Sequence, residues 1–168
     1  MLRALLFAVT FTTLLLGWTT LARAQTYKVG AMAEAVSGLE GGTALPGPFR
    51  RSRTTLRIGA DLAVDEFPDH AIAVAALVEV EPRAGVGFDA RYVYRLGTRF
   101  SVGAGGIAMI APSTLIGGSG DFTIRFPIGK VTALTLTPAV NAFFLGGDLP
   151  EDTVIWQVVL RVGVRFNL

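Results

Sequence analysis

Residues Trp156 to Leu168 read Trp-Gln-Val-Val-Leu-Arg-Val-Gly-Val-Arg-Phe-Asn-Leu, and this stretch decides the fold. Every even position in it is apolar: Trp156, Val158, Leu160, Val162, Val164, Phe166 and Leu168. The odd positions are mostly polar or tiny, with Gln157, Arg161, Gly163, Arg165 and Asn167 among them. Successive residues of a strand point to opposite faces, so the pattern predicts a strand with one wholly apolar face. The sequence stops at Leu168 without a polar tail to cover that face. An unpaired apolar edge templates aggregation, so this strand is expected to close onto another strand of the same chain. Closure makes a barrel.

Going outward from this strand, the even phase holds back to Thr54 across every intervening turn. Leu56 to Val64, Ile72 to Val80, Val86 to Leu96, Phe100 to Ile110, Phe122 to Ile128 and Leu134 to Phe144 each place apolar or small residues on even numbers. None of the even positions assigned to these strands, from Thr54 onward, carries a charge. In the second of these segments Ala71, Ala73, Ala75 and Leu77 make the other face apolar too, which leaves a short helix as a rival there. An earlier strand starts at Tyr27 with its apolar residues on odd numbers, Val29, Ala31, Ala33 and Ala35. Residues 37–53 hold Gly38, Gly41, Gly42, Pro46, Gly47 and Pro48 and read as the longest loop. Residues 111–120 and 145–152 read as further loops, and the remaining connections as tight turns. Pro138 lies inside a strand and cannot donate to a ladder, so a bulge or kink is expected there. The total is eight antiparallel strands.

Residues 1–24 have the order of a secretory signal peptide: Arg3, an apolar run, then Ala22-Arg23-Ala24. The mature domain is then residues 25–168. Arg3 and Arg23 account for all of the +2 formal charge, so the mature chain is balanced and offers no argument for nucleic acid. The chain has no cysteine, which excludes disulfides, thiolate metal sites and a lipid-anchored N-terminus. After the signal no apolar run approaches the ~20 residues of a spanning helix. Any membrane crossing must use strands.

Arg161-x-Gly163-x-x-Phe166-x-Leu168 resembles the C-terminal signal of Gram-negative outer-membrane β-barrels, with leucine where phenylalanine is commoner at the end. With the export signal and the alternating strands, the mature chain as a whole resembles small barrels of the OmpA/OmpX type. The resemblance implies an eight-stranded up-and-down transmembrane barrel, exported by the Sec pathway and inserted by a barrel-assembly machinery that reads Arg161, Gly163, Phe166 and Leu168. Lipid and lipopolysaccharide of the outer membrane would be its surroundings.

Two rings of aromatics support the lipid-facing assignment of the even face: Tyr27, Tyr94, Phe100, Phe126 and Phe166 at the periplasmic ends, and Phe88, Phe122, Phe144 and Trp156 at the outer ends. The lumen would then hold Lys28, Arg57, Arg91, Arg95, Arg125, Arg161 and Arg165 with Glu34, Asp61, Glu79, Asp89 and Asp121. Eight strands leave an interior only wide enough for side chains, so these charges are expected to pair and plug it. Arg50, Arg51 and Arg53 close the first outer loop and are candidates to grip lipopolysaccharide phosphates.

The chemistry needed for catalysis is sparse. His70, the single histidine, sits beside a periplasmic turn, and no serine is spaced to be its nucleophilic partner. One histidine and no cysteine leave no expected metal centre or cofactor. The expected role is structural or surface-interacting, with no reaction and an unspecified surface ligand. The rivals are a narrow pore, a lipid-modifying barrel enzyme, and a soluble lipocalin-like secreted binder with its apolar face turned inward.

Overall fold

The computed structural model describes residues 27–43, 50, 51, 54–64, 66–81, 84–147, 149 and 152–168, with only the backbone of residues 50, 51 and 81. The signal segment and Arg53 lie outside the described residues. The strands are β1 (Tyr27–Gly42), β2 (Arg50–Arg51), β3 (Thr54–Val64), β4 (His70–Glu81), β5 (Gly85–Leu96), β6 (Phe100–Ala111), β7 (Leu115–Pro127), β8 (Thr132–Leu145) and β9 (Ile155–Asn167). From β3 onward each pairs antiparallel with the next; β3 pairs with β1, and β9 returns to β1. The closing seam runs from Gly30↔Asn167 to Gly42↔Ile155, and the amide of Leu168 donates to the carbonyl of Val29 at 2.9 Å. This is the closed eight-stranded barrel that the alternation predicts. The two-residue β2 only flanks Leu39 and Glu40 of β1.

The phase of the alternation fixes which face is which. Ile58 and Ile72 are 62% and 63% exposed, whereas their neighbours Arg57 and Ala73 are each 1% exposed. Even residues of β3 to β9 face outward and odd residues face the lumen; in β1 the parity is reversed, as its odd apolar residues require.

Several boundaries differ from the sequence reading, each for a physical reason. Residues 37–42 belong to β1, because pairing with β9 carries the strand past Gly38, Gly41 and Gly42. Residues 115–120 likewise belong to β7, where Gly117, Gly118 and Gly120 pair with both neighbours, so the connection from β6 is only residues 112–114. Glycine weakens a strand without forbidding it. Phe122 therefore sits within β7, stacked on Phe100 at 5.8 Å between centroids, and does not belong to an outer ring. β4 is a strand and not a helix: Ala71, Ala73 and Ala75 line the lumen as small residues. At Pro138 the ladder to β9 keeps its register; towards β7 it skips Phe122 and Thr123 and resumes unchanged at Ile124↔Leu136. The missing N–H leaves a gap in the ladder and no bulge.

One end of the barrel carries both Tyr27 and Leu168 with the turns at residues 65–69, 97–99 and 128–131. The other, loop end carries the connections from β1 to β3, β4 to β5, β6 to β7 and β8 to β9. The three register shifts, at Thr54/Thr55, Val86/Gly87 and Ile116/Gly117, all lie towards the loop end. Bulges concentrate at barrel rims, where the curvature of the strands is adjusted.

Candidate functional site: the lumen

The lumen is built in layers, and the distribution of side-chain size over the strands makes them possible. Large charged residues come from β1 (Glu34), β3 (Arg57, Asp61), β5 (Asp89, Arg91, Arg95), β7 (Asp121, Arg125) and β9 (Arg161, Arg165). Between them β4, β6 and β8 present Ala71, Ala73 and Ala75, Ser101, Gly103 and Gly105, and Ala133, Thr135 and Thr137. An eight-stranded interior has room for one set of long side chains only if its neighbours are short. Gly103 shows how tight the fit is: a Cβ there would lie 2.9 Å from Oδ1 of Asp121.

The middle layer is a chain of ion pairs. Glu34 accepts from Nη1 of Arg57 at 2.6 Å, and the same guanidinium grips Asp89 through Nε at 2.7 Å and Nη2 at 3.0 Å. Arg91 lies 3.5 Å from Asp89 and pairs with Asp121, which also faces Arg161 at 3.4 Å. Arg161 donates further to Oγ of Ser119 at 3.0 Å. The buried carboxylates and guanidinia thus pair in charge across the barrel, although Nε of Arg91 makes no hydrogen bond, and such pairing is the arrangement that keeps buried charge tolerable.

Towards the chain-terminal end, Asp61 serves two arginines: Arg165, and Arg95 at 3.3 Å. Arg125 lines a cavity of about 40 Å³ together with Asp61 and Arg165. Among the described residues it makes no ion pair or hydrogen bond through its side chain. Lys28 stands exposed at the same rim.

Towards the loop end the lumen changes character. Leu77, Ile107, Met109, Leu115 and Phe143 form a buried apolar cluster, with Leu149 and Ile155 packed against it. Glu79 is buried in this same region, beside Arg57 and Asp89 around a second cavity of about 40 Å³. Glu40, which the sequence reading did not single out, is 2% exposed and accepts from Nε2 of Gln157 at 2.7 Å. The sequence reading also passed over the apolar layer itself. Its members are odd residues scattered over β4, β6, β7 and β8, and each looks like a local flaw in the alternation.

The proposed assembly residues lie on β9 and its end. Arg161 and Gly163 face inward, Gly163 opposite Glu34; Phe166 and Leu168 face outward. A Cβ at Gly163 would lie 2.5 Å from Cγ of Glu34, so the glycine makes room for the carboxylate that anchors Arg57. Arg50 and Arg51 are placed only as backbone of β2 and Arg53 lies outside the described residues, so their side chains have no described geometry. His70 opens β4 on the outer surface, its ring 5.1 Å from Tyr94 and 6.2 Å from Phe67, with Nδ1 against the hydroxyl of Tyr92. The described residues contain no group of three metal-ligating side chains.

The fold and lumen define a closed eight-stranded antiparallel barrel with an apolar exterior and a paired-charge interior. No known family's sequence profile matches the chain, and no curated protein sequence does either. Among solved structures it is similar to the crystal structure of Neisserial surface protein A (NspA), with a TM-score of 0.55 and 13% identity over 87% of this chain and 100% of that one. A structure from the de novo design of transmembrane β-barrels matches at a TM-score of 0.44 and 10% identity, over 82% of this chain and 95% of that one. At 13% identity the likeness to NspA shows a shared fold.

Proposed function

We propose that the protein spans the bacterial outer membrane with its even face in lipid and its lumen plugged, and that it works through its loop end. The observation that carries this reading is the exterior. Ile58, Ile72, Val74, Phe88, Tyr92, Val140, Phe144 and Val162 are all more than half exposed and belong to one continuous outward surface. Soluble monomers rarely expose apolar patches beyond a few hundred Å². The soluble-binder alternative needs the even residues to wall an internal cavity, and they point outward. Export by the Sec pathway and insertion by the barrel-assembly machinery, with Arg161, Gly163, Phe166 and Leu168 as its signal, belong to the same proposal.

The ion-paired middle layer and the apolar layer above it favour a plug over a narrow pore. Surface interaction then falls to the two longer connections, residues 43–53 and 146–154, which flank the β9–β1 seam. They are tied together by Thr43 N to Val154 O at 3.2 Å and Val154 N to Thr43 Oγ1 at 3.2 Å. Lipopolysaccharide phosphate is the proposed contact of Arg50, Arg51 and Arg53. In this role the protein carries out no reaction of its own.

The test is fractionation of cells expressing the full chain, with boiled and unboiled detergent extracts compared by gel migration. An outer-membrane band whose migration shifts on heating is expected. A soluble periplasmic or secreted protein would overturn the reading.

A further inference from the structure

We propose that the terminal-end mouth of the lumen binds a small protonated oxyanion of the hydrogen phosphate class, held by Arg125 and Arg165 and selected by Asp61. Four cationic side chains, Lys28, Arg95, Arg125 and Arg165, reach this end of the lumen, and the buried carboxylate among them is Asp61. Asp61, Arg95 and Arg165 are also the charged groups that act electrostatically on Arg125. Glu66 and Asp69 belong to the exposed turn before β4, outside the lumen. Asp61 has already committed Oδ2 to both Arg95 and Arg165. Arg125 is left without an ion pair among the described residues, in contrast to Arg57, Arg91 and Arg161 of the middle layer.

Two buried atoms at this end lack hydrogen-bond partners, and they are of opposite kind. Nε of Arg95, which stands outside the cavity lining, is a donor without an acceptor; Oδ1 of Asp61, within that lining, is an acceptor without a donor. A bare anion would serve the arginines and repel Asp61. An oxyanion that keeps a proton serves both: its oxygens accept from guanidinium N–H groups, and its O–H donates to a carboxylate oxygen. Hydrogen phosphate has that O–H at neutral pH, whereas sulfate and phosphodiesters do not. The cavity measures about 40 Å³ and is lined by Asp61, Arg125 and Arg165 together with Arg91, Glu34 and Asp121, the last two carboxylates being already held by Arg57 and by Arg91 and Arg161. At ~10–15 Å³ for each water this is room for about three waters, the footprint of one tetrahedral oxyanion.

Isothermal titration calorimetry on the barrel refolded in a non-ionic, phosphate-free detergent tests this, with inorganic phosphate and sulfate titrated at equal ionic strength and pH 7. Saturable one-to-one phosphate binding is expected, with sulfate and dispersed phosphatidylglycerol each at least about tenfold weaker. Arg125→Gln breaks no ion pair and should stay heat-modifiable on a gel while phosphate binding falls about tenfold or more. Asp61→Asn should erase the preference for phosphate over sulfate. Equal affinity for phosphate and sulfate in the wild type, unchanged phosphate binding in Arg125→Gln, or tighter binding of phosphatidylglycerol than of phosphate would each overturn the proposal.

Discussion

The middle of the lumen and its loop end fill the same kind of space with opposite chemistry. Glu34, Arg57, Asp89, Arg91, Asp121 and Arg161 close the middle by charge pairing; Leu77, Ile107, Met109, Leu115 and Phe143 close the loop end by shape. The two layers fail differently. Removing one member of a buried ion pair strands its partner as an unpaired charge, whereas trimming an apolar side chain leaves a cavity whose walls can partly relax. The charged layer should therefore be intolerant of single changes and tolerant of concerted ones. The apolar layer should be graded by volume.

The largest effect is expected at Arg57, which is 1% exposed and is shared by Glu34 and Asp89. Arg57→Met should cost about 3–5 kcal/mol in urea unfolding from lipid vesicles, followed by the fluorescence of Trp156. Glu34→Gln and Asp89→Asn added to that variant should restore much of the loss, because no charge is then stranded. A triple variant less stable than Arg57→Met would show that the layer holds by shape after all.

Next comes Phe143, 2% exposed at the centre of the apolar cluster. Phe143→Ala should cost about 3 kcal/mol in the same assay, and Phe143→Leu under about 1.5 kcal/mol because it conserves most of the volume. A steeper loss at Phe143→Leu than at Arg57→Met would reverse the comparison.

The two layers were also unequally legible in the sequence. Every charged residue of the middle layer announces itself as polar between apolar or small neighbours, so Arg57, Asp89 and Arg161 are assigned to the lumen from phase alone. Which of them pair requires the register, and the contact of Arg57 with both Glu34 and Asp89 spans three strand interfaces. The apolar layer has no such contrast: Leu77 or Phe143 between apolar neighbours blurs the alternation it belongs to. The same blurring made Ala71 to Ala75 compatible with a helix, although small inward residues are what the long arginines of β3 and β5 need beside them. Loop lengths were misjudged where glycine entered a ladder, at Gly38 and Gly117, because its turn propensity is local and strand pairing is not. The cavity at Arg125 was invisible for a related reason: a charge inventory finds the arginine and cannot show that Asp61 is already engaged by two others.

A smaller effect tests how tightly the charged layer fits. Gly103→Ala puts a methyl 2.9 Å from Oδ1 and 3.0 Å from Oδ2 of Asp121, which also anchors Arg91 and Arg161. It should cost about 1–3 kcal/mol by the same unfolding assay. Gly106→Ala points outward, with its nearest neighbour 3.9 Å away, and should be neutral or slightly stabilising. Equal losses at the two positions would mean that strand propensity and not lumenal crowding sets the cost.

The smallest effect separates hydrogen bonding from charge within the lumen. Thr137 is 1% exposed on β8, and its hydroxyl lies 3.0 Å from that of Thr123 on β7. Thr137→Val keeps the shape and leaves the Thr123 hydroxyl without this partner, which should cost about 1 kcal/mol. Thr123→Val should cost a similar amount. The double variant removes donor and acceptor together and should lose less than the two single losses added, because replacing both partners by apolar groups of the same shape strands neither. That is the rule expected for Glu34, Arg57 and Asp89, repeated at the scale of a neutral pair. A strictly additive double variant would confine the rule to charges, and the tolerance of concerted change would then be a property of the ion pairs alone.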